Sequence, residues 1–264
     1  MSAALQTIKD FIRWGASRFN AAHLAFGHGT DNAIDEAAYL VLHSLHLPLD
    51  LAPQYLDWRV TPEEEEGLRA IFDRRIQERL PAPYLTHEAW FAGLSFHVDE
   101  NVLIPRSPIA EMIENHFQPW LTNQEPGAIL DLCTGSGCIA IACALQFPSA
   151  LVDATDISAA ALAVAEINRG RYGLEGQIRL SKSDLFQDLP PQGYDLIISN
   201  PPYVSAEQMQ RLPPEYRHEP ILGLAAGTDG LDAVRVILRE AGDYLTEDGL
   251  LVVEVGESAQ ALVE

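Results

Sequence analysis

The stretch of residues 194–204, YDLIISNPPYV, constrains the fold of this chain more than any other segment. Its short apolar run is typical of a strand buried on both faces. That strand must end at Asn200, because Pro201 and Pro202 have no N–H to donate and their φ angles are fixed. We therefore expect a polar side chain, a rigid turn and the ring of Tyr203 just past the end of a buried strand. In open α/β sheets, ligands bind at that edge.

The residues of this turn favour a particular kind of ligand. The side-chain carbonyl of Asn200 and the backbone carbonyl beside it can both accept hydrogen bonds from an NH2 group. Tyr203 offers a flat face to a planar group. The pattern suits a planar amide or amino group, because two acceptors that hold its hydrogens would direct the nitrogen lone pair at an electrophile. The alternative is a plain strand-to-loop turn, since Asn-Pro commonly begins turns.

Strands and helices alternate from residue 128 onwards, which predicts a doubly wound α/β sheet. Five strands are predicted, at residues 128–132, 151–154, 178–180, in the run that ends at Asn200, and at 250–255. Helices are predicted after the first strand, at 139–145, and before the last one, at 229–244.

The part of the chain before this sheet has a different pattern. Its first 80 or so residues show the apolar spacing of helices, one of which has Thr61 as its cap, Pro62 at its first position and Glu64 in a capping box. Residues 84–108 predict a β-hairpin, and 109–121 predict a helix. The predicted organisation is a helical domain, a hairpin with a linker helix, and an α/β domain, at 1–83, 84–122 and 123–264.

A second candidate ligand-binding turn follows the strand at 128–132. Its residues include Asp131, Cys133, Thr134, Gly135, Ser136 and Gly137. Glycines let the backbone turn sharply near a ligand, and Asp156, after the next predicted strand, can hold ribose hydroxyls. The turn lacks both the G-x-G-x-x-G dinucleotide pattern and the G-K-[ST] of a P-loop. It suits S-adenosylmethionine, whose ammonium group Asp131 would attract; the alternative is a turn that serves only strand–helix packing.

The charge of the chain limits its partners. It has 38 acidic and 17 basic side chains, for a formal charge of −21. This charge repels phosphate backbones, and the sequence contains no local basic patch to offset it. A nucleic-acid substrate is therefore disfavoured, and we expect a basic protein partner; the alternative is an acidic surface that serves only solubility.

Other sequence features argue against metal sites and membrane segments. The three cysteines form no C-x-x-C pair, and His43 and His46 have no acidic or cysteine partner nearby, so no metal site is predicted. No apolar run approaches the ~20 residues that span a bilayer. Charged residues interrupt the N-terminal segment, which is unlike a signal peptide. We expect no membrane association and, by default, a cytoplasmic location.

The two turns, Asp156 and Asp184 together resemble class I (Rossmann-like) methyltransferases that methylate planar nitrogens. Two families share this pattern: DNA adenine methyltransferases and the HemK-type protein N5-glutamine methyltransferases. The chain is more similar to the PrmB branch of the HemK type, which methylates a glutamine of the third protein of the large ribosomal subunit. The motifs that carry this similarity are PYLT at 83–86, EAWFAGL at 88–94 and VLIPRSPIAE at 102–111. The branch that acts on release factors typically has I-P-R-P-E-T where this chain has I-P-R-S-P-I.

The resemblance implies S-adenosylmethionine as cofactor and S-adenosylhomocysteine as product. It implies that residues 133–137 line the methionine part of the cofactor, that Asp156 holds the ribose, and that Asp184 and Leu185 lie beside the adenine.

The resemblance also implies roles in binding the substrate. Asn200 and the Pro201 carbonyl would grip the glutamine amide, with a smaller contact from Asn200 to the cofactor. Pro202 and Tyr203 would sandwich the amide, and the helical N-terminal part would help to recognise a ribosomal protein. Methylation of release factors, methylation of DNA adenine and a non-catalytic cofactor- or ribosome-binding role are the alternatives.

The resemblance carries one expectation about the C-terminus. The family continues beyond the fifth strand with a helix and a closing hairpin of two strands. This sequence stops at Glu264, within that helix. We therefore expect a shortened form that lacks the closing strands, with consequences for stability and activity.

Overall fold

The computed structural model describes residues 5–121, 125–190, 192–259 and 262. The chain divides into two compact units. The first contains the chain up to His87 together with the short segment 213–218, and the second contains the remainder.

The first unit is helical. Its elements are α1 (Ile8–Ala21), α2 (Ala33–Ser44), α3 (Pro62–Gln77) and α4 (Ala82–Thr86), with 3-10 turns at Pro53–Asp57 and Pro214–His218. The predicted capping box begins α3: the N–H of Glu64 donates to Thr61 Oγ1 at 3.3 Å, and the Thr61 N–H donates to the Glu64 carboxylate at 2.7 Å. Phe11, Phe19 and Phe72 are fully buried in the core between these helices.

A buried charge group also holds the first unit together. Arg75 on α3 donates to Glu36 on α2 at 2.7 Å and to the Ala25 carbonyl at 2.9 Å. Glu215 accepts from the Ala25 N–H at 3.0 Å and lies 3.6 Å from Arg75. Burial raises the pKa of the Glu36 carboxyl, and the charge of Arg75 opposes that rise. The segment 213–218 belongs with this unit because Glu215 completes the group, which no local sequence signal indicates.

The second unit contains the predicted α/β sheet. Its elements are β1 (Glu88–Phe91), β2 (Leu94–His97), α5 (Ile109–Glu114), β3 (Ala128–Leu132), α6 (Cys138–Gln146), β4 (Leu151–Asp156), α7 (Ala159–Arg171), β5 (Ile178–Lys182), β6 (Tyr194–Ser199), α8 (Ala206–Arg211), α9 (Asp232–Glu240) and β7 (Leu245–Val253). Five parallel strands follow the order β5-β4-β3-β6-β7. The order reverses beside β3, so a crevice opens beyond the carboxyl ends of β3 and β6.

The central strands have the predicted character. Ile129 and Leu130 on β3 and Ile197 and Ile198 on β6 are all fully buried, as expected for strands covered on both faces. The two candidate turns directly follow these two strands, so the sheet brings both to the same edge.

The predicted hairpin is shorter than expected. β1 and β2 occupy only residues 88–97, joined by Ala92 and Gly93 with φ of 48° and 71°, as a two-residue turn of the primed type requires. The helix expected at 109–121 ends at Glu114, because His116 and Phe117 both adopt a left-handed φ of 53°.

The last helix and strand also differ from the prediction. α9 begins later than residue 229, because Gly230 has a φ of 81° and the Asp229 side chain accepts the N–H two residues on. A 3-10 turn at Ala241–Asp243 ends the helix early. β7 consequently begins at Leu245 rather than at 250, and its register with β6 contains an irregularity.

Candidate active site

The loop between β3 and α6 turns sharply at three residues. Cys133, Gly135 and Gly137 have φ of 60°, 55° and 79°. A Cβ on Gly137 would lie 3.2 Å from a side chain of α7, so glycine allows close packing there. The N–H of Thr134 donates to the Thr155 carbonyl at 2.9 Å, which ties the loop to β4.

Asp131 holds this loop from behind. Its Oδ2 accepts from Thr134 Oγ1 at 2.5 Å and from the Ala140 N–H at 3.1 Å, and its Oδ1 has no hydrogen-bond partner among the described residues. Burial raises the pKa of the Asp131 carboxyl to about 7; the two hydrogen bonds oppose this rise, and the charge of Asp156 adds to it. The side chain is therefore poised between its neutral and charged forms near neutral pH.

Asp156 lies at the end of β4 and faces the same loop. One carboxylate oxygen accepts from the Gly135 N–H at 2.9 Å and the other accepts from the Ser158 N–H at 2.9 Å. Burial raises the pKa of this carboxyl, against the pull of these backbone donors. A carboxylate has about four acceptor positions, so these two bonds leave room for ribose hydroxyls.

A cavity of about 480 Å³ opens at this edge of the sheet, within the ~300–1,000 Å³ typical of ligand sites. The predicted site residues that line it are Cys133, Thr134, Gly135, Ser136, Asp156, Asp184, Leu185, Asn200 and Pro202. Four others, Asp131, Gly137, Pro201 and Tyr203, lie outside the lining. Parts of the loops at 100–107 and 220–223 and of α9 complete the wall.

Asn200 lines this cavity and has an unused acceptor. Before it, Ser199 Oγ donates to the Leu132 carbonyl at 2.9 Å, joining the ends of β6 and β3. The Oδ1 atom of Asn200 is buried and has no hydrogen-bond partner among the described residues. An unpaired buried polar atom costs about 1–3 kcal/mol, so the site is arranged for a donor supplied by a ligand.

Tyr203 is fixed by residues to which the sequence assigned no role. Its hydroxyl donates to Glu254 Oε1 at 2.8 Å, and Ser107 Oγ donates to the other Glu254 oxygen. Burial and then the Glu254 charge raise the pKa of Tyr203, which keeps the phenol neutral and donating. Glu254 directly follows β7. The sequence signal that could have identified it is a polar residue at the carboxyl end of a parallel strand, where ligands bind.

A second anchored loop also lines the cavity. Arg106 donates to both carboxylate oxygens of the buried Glu219, at 2.5 and 2.8 Å. The Ile104 N–H donates to the same carboxylate at 3.1 Å. This bidentate arrangement fixes the VLIPRSP segment against the cavity.

The donor set of the cavity suits a cationic ligand with a ribose. Four acidic side chains line it, namely Glu100, Asp156, Asp184 and Asp232. Arg106 is the one Lys or Arg among the described lining residues, and it is paired with Glu219. The acidic lining, the ribose acid and the open acceptor on Asn200 all fit S-adenosylmethionine.

Comparison with known proteins identifies the family. The chain is 54% identical, over 95% of its length, to the ribosomal protein uL3 glutamine methyltransferase of Burkholderia pseudomallei. It is 57% identical, over 98% of its length, to the protein of the same name from Xanthomonas campestris pv. campestris. It spans 84% of each relative. The chain belongs to the ribosomal protein uL3 glutamine methyltransferase family.

Two further comparisons agree with a methyltransferase fold. Residues 115–212 match the methyltransferase small domain. The fold is similar to the catalytic domain of hMettl16, solved with a MAT2A 3'UTR hairpin, with a TM-score of 0.54, 18% identity and coverage of 86% of this chain and 80% of that one. The predicted class I methyltransferase fold is confirmed, and the cofactor of this uL3 methyltransferase family member is S-adenosylmethionine.

No group of three or more His, Cys, Asp or Glu side chains in the described part of the chain is placed to hold a metal ion. In the same residues, no helix is both long and apolar enough to cross a membrane.

Proposed function

We propose that this chain transfers the methyl group of S-adenosylmethionine to the side-chain nitrogen (N5) of a glutamine in ribosomal protein uL3, the third protein of the large subunit. The observation that carries the proposal is the buried, unpaired Oδ1 of Asn200 in the cavity wall. Relatives that are 54% and 57% identical to this chain are named as uL3 glutamine methyltransferases, which supports the same proposal.

Asn200 and its neighbours act by positioning. An amide nitrogen is a weak nucleophile because its lone pair is delocalised into the carbonyl. Asn200 Oδ1 and the Pro201 carbonyl accept the two amide hydrogens, while Pro202 and Tyr203 contact the faces of the planar group. The nitrogen is thereby oriented toward the cofactor half of the cavity. When bound, the cofactor would supply an electrophilic methyl group and leave as S-adenosylhomocysteine as the S–CH3 bond breaks and the N–CH3 bond forms. The proton that the nitrogen then loses would pass to water.

The cofactor half of the cavity is assigned to the loop after β3. Residues 133–137 hold the methionine part, and Asp131 fixes that loop by accepting from Thr134 Oγ1 and the Ala140 N–H. Asp156 accepts the ribose hydroxyls, and Asp184 and Leu185 flank the adenine. The support for these roles is the cavity lining together with the backbone bonds that orient Asp156.

The expected partner is a basic protein rather than a nucleic acid. The formal charge of −21 would attract a basic ribosomal protein and repel phosphate backbones. We assign recognition of that protein to the helical first unit. Ribosomal proteins are made in the cytoplasm, which is the proposed site of action.

The test is a methyl-transfer assay with labelled cofactor and the separated proteins of the large ribosomal subunit. We expect label on a glutamine of uL3, located by mass spectrometry. The matched control is Asn200→Ala, which removes one preorganised contact and should lower kcat by ~10²–10³ while the cofactor still binds in a titration. Label on release factors or on duplex DNA, with uL3 untouched, would contradict the proposed substrate. Near-normal transfer by the variant would mean that Asn200 only forms a turn.

A further inference from the structure

The first residue after β7, Glu254, lies next to the catalytic turn. Its N–H donates to the Ser199 carbonyl at 2.9 Å, so its backbone is fixed beside the residue that precedes Asn200. Because β6 and β7 are parallel neighbours, their carboxyl ends reach the same edge of the sheet. The strand pairing therefore determines where the Glu254 side chain begins.

The carboxylate of Glu254 bridges two loops through hydroxyl groups. One oxygen accepts from Tyr203 Oη at 2.8 Å and the other accepts from Ser107 Oγ. Ser107 Oγ itself accepts from the Ile109 N–H at 3.1 Å, which fixes the serine. In the part of the chain that the structure describes, Glu254 forms no ion pair, so its charge acts on these two hydroxyls as charge-assisted hydrogen bonds.

Tyr203 is restrained on further sides. A Cβ on Gly256 would lie 2.7 Å from Cδ2 of the Tyr203 ring, so the backbone at 256 packs directly against that ring. Gly230 has a φ of 81°, and a Cβ on it would clash with the Tyr203 carbonyl oxygen, so the backbone at 230 also packs directly against Tyr203. Asn200 and Pro202 belong to the same turn and line the cavity, so these contacts at Tyr203 restrain the backbone that carries both residues.

We propose that Glu254 is a positioning residue for methyl transfer. It holds Tyr203 by the hydroxyl, and through Tyr203 it holds the turn that aims the Asn200 and Pro201 oxygens. Ser107 keeps the carboxylate of Glu254 in place. This assignment rests on the proposed function and adds to it two residues that touch neither the glutamine nor the cofactor.

The test compares Tyr203→Phe, Glu254→Ala and the double variant in the uL3 assay. Each single change breaks the same charge-assisted hydrogen bond, and we expect each to lower kcat by about tenfold or more. The double variant should have the kcat of Glu254→Ala alone, because no further bond is lost. The KM for S-adenosylmethionine should stay unchanged. Glu254→Gln keeps one carbonyl oxygen as acceptor and should recover part of kcat.

The matched control is Glu257→Ala. Glu257 is an exposed acid on the same segment, whose carboxylate accepts from Gln208 at 2.7 Å, and its loss should leave kcat unchanged. Wild-type kcat in Glu254→Ala would overturn the proposal, as would a double variant whose loss is the product of the single losses. Tyr203→Phe keeps the ring and its packing, so its kcat tests the proposal if Glu254→Ala fails to fold. A wild-type protein that leaves uL3 unlabelled would instead refute the proposed function itself.

Discussion

The buried Asp131 carboxyl makes the stability of this protein depend on pH in a way that can be isolated by one substitution. Its pKa is about 7 in the folded chain, against an ordinary value of 3.8. Folding therefore favours the protonated form. The contribution of the protonated Asp131 to the free energy of unfolding is fully present below about pH 3.8, and it is lost as the pH rises through about 7.

The size of the effect follows from the two pKa values. The rise from 3.8 to about 7 corresponds to about 4 kcal/mol over the whole interval. Roughly 2–3 kcal/mol of this falls between about pH 5 and pH 8. Asp131→Asn keeps a carbonyl oxygen for the Thr134 and Ala140 donors and cannot ionise, so it imitates the protonated state.

The assay is urea unfolding of the cofactor-free wild-type protein and of Asp131→Asn at about pH 5 and pH 8. From the lower to the higher pH, the free energy of unfolding of the variant should rise by roughly 2–3 kcal/mol relative to the wild type. Asp184→Asn, which removes one negative charge from an exposed position in the same cavity wall, controls for the change in net charge. If the free energies of unfolding of the wild type and Asp131→Asn differ by the same amount at both pH values, the argument from burial is refuted.

Three further outcomes are expected. Asp156→Ala should weaken S-adenosylmethionine binding at least about tenfold in calorimetry, because hydrogen bonds to a charged acceptor contribute ~1.5–3 kcal/mol; unchanged affinity would exclude this acid from the cofactor site. Arg75→Ala should lower the free energy of unfolding by about 3–5 kcal/mol in denaturant titrations, because the buried Glu36 would lose the cation that pairs with it, whereas Glu215 keeps Arg79 at 3.5 Å; a loss below ~1 kcal/mol would contradict that. Burial raises the pKa of the Cys133 thiol to about 12, so iodoacetamide at about pH 8 should alkylate it slowly in the folded protein and quickly after denaturation; equal rates would show that the thiol is not shielded.

Local features of the sequence were sufficient to predict the sheet and both turns. The apolar run of β6 indicated a strand covered on both faces, and the prolines at 201 and 202 could only follow a strand that had ended. The glycines at 135 and 137 indicated a sharp loop, and both have a left-handed φ. These signals work because they depend on the conformational limits of one residue and on the side-chain period of one element.

Only the tertiary structure showed which side chains support the site. Tyr203 meets Glu254 across 51 residues, because parallel strands bring their carboxyl ends to one edge of the sheet whatever their separation in the chain. Ser107, in the loop before α5, meets Glu254 across 147 residues. The raised pKa of Asp131 likewise comes from burial, which depends on everything packed around it. Sequence patterns describe the residues of one segment, whereas hydrogen bonds between segments and the dielectric surroundings of a buried acid exist only once the segments have packed.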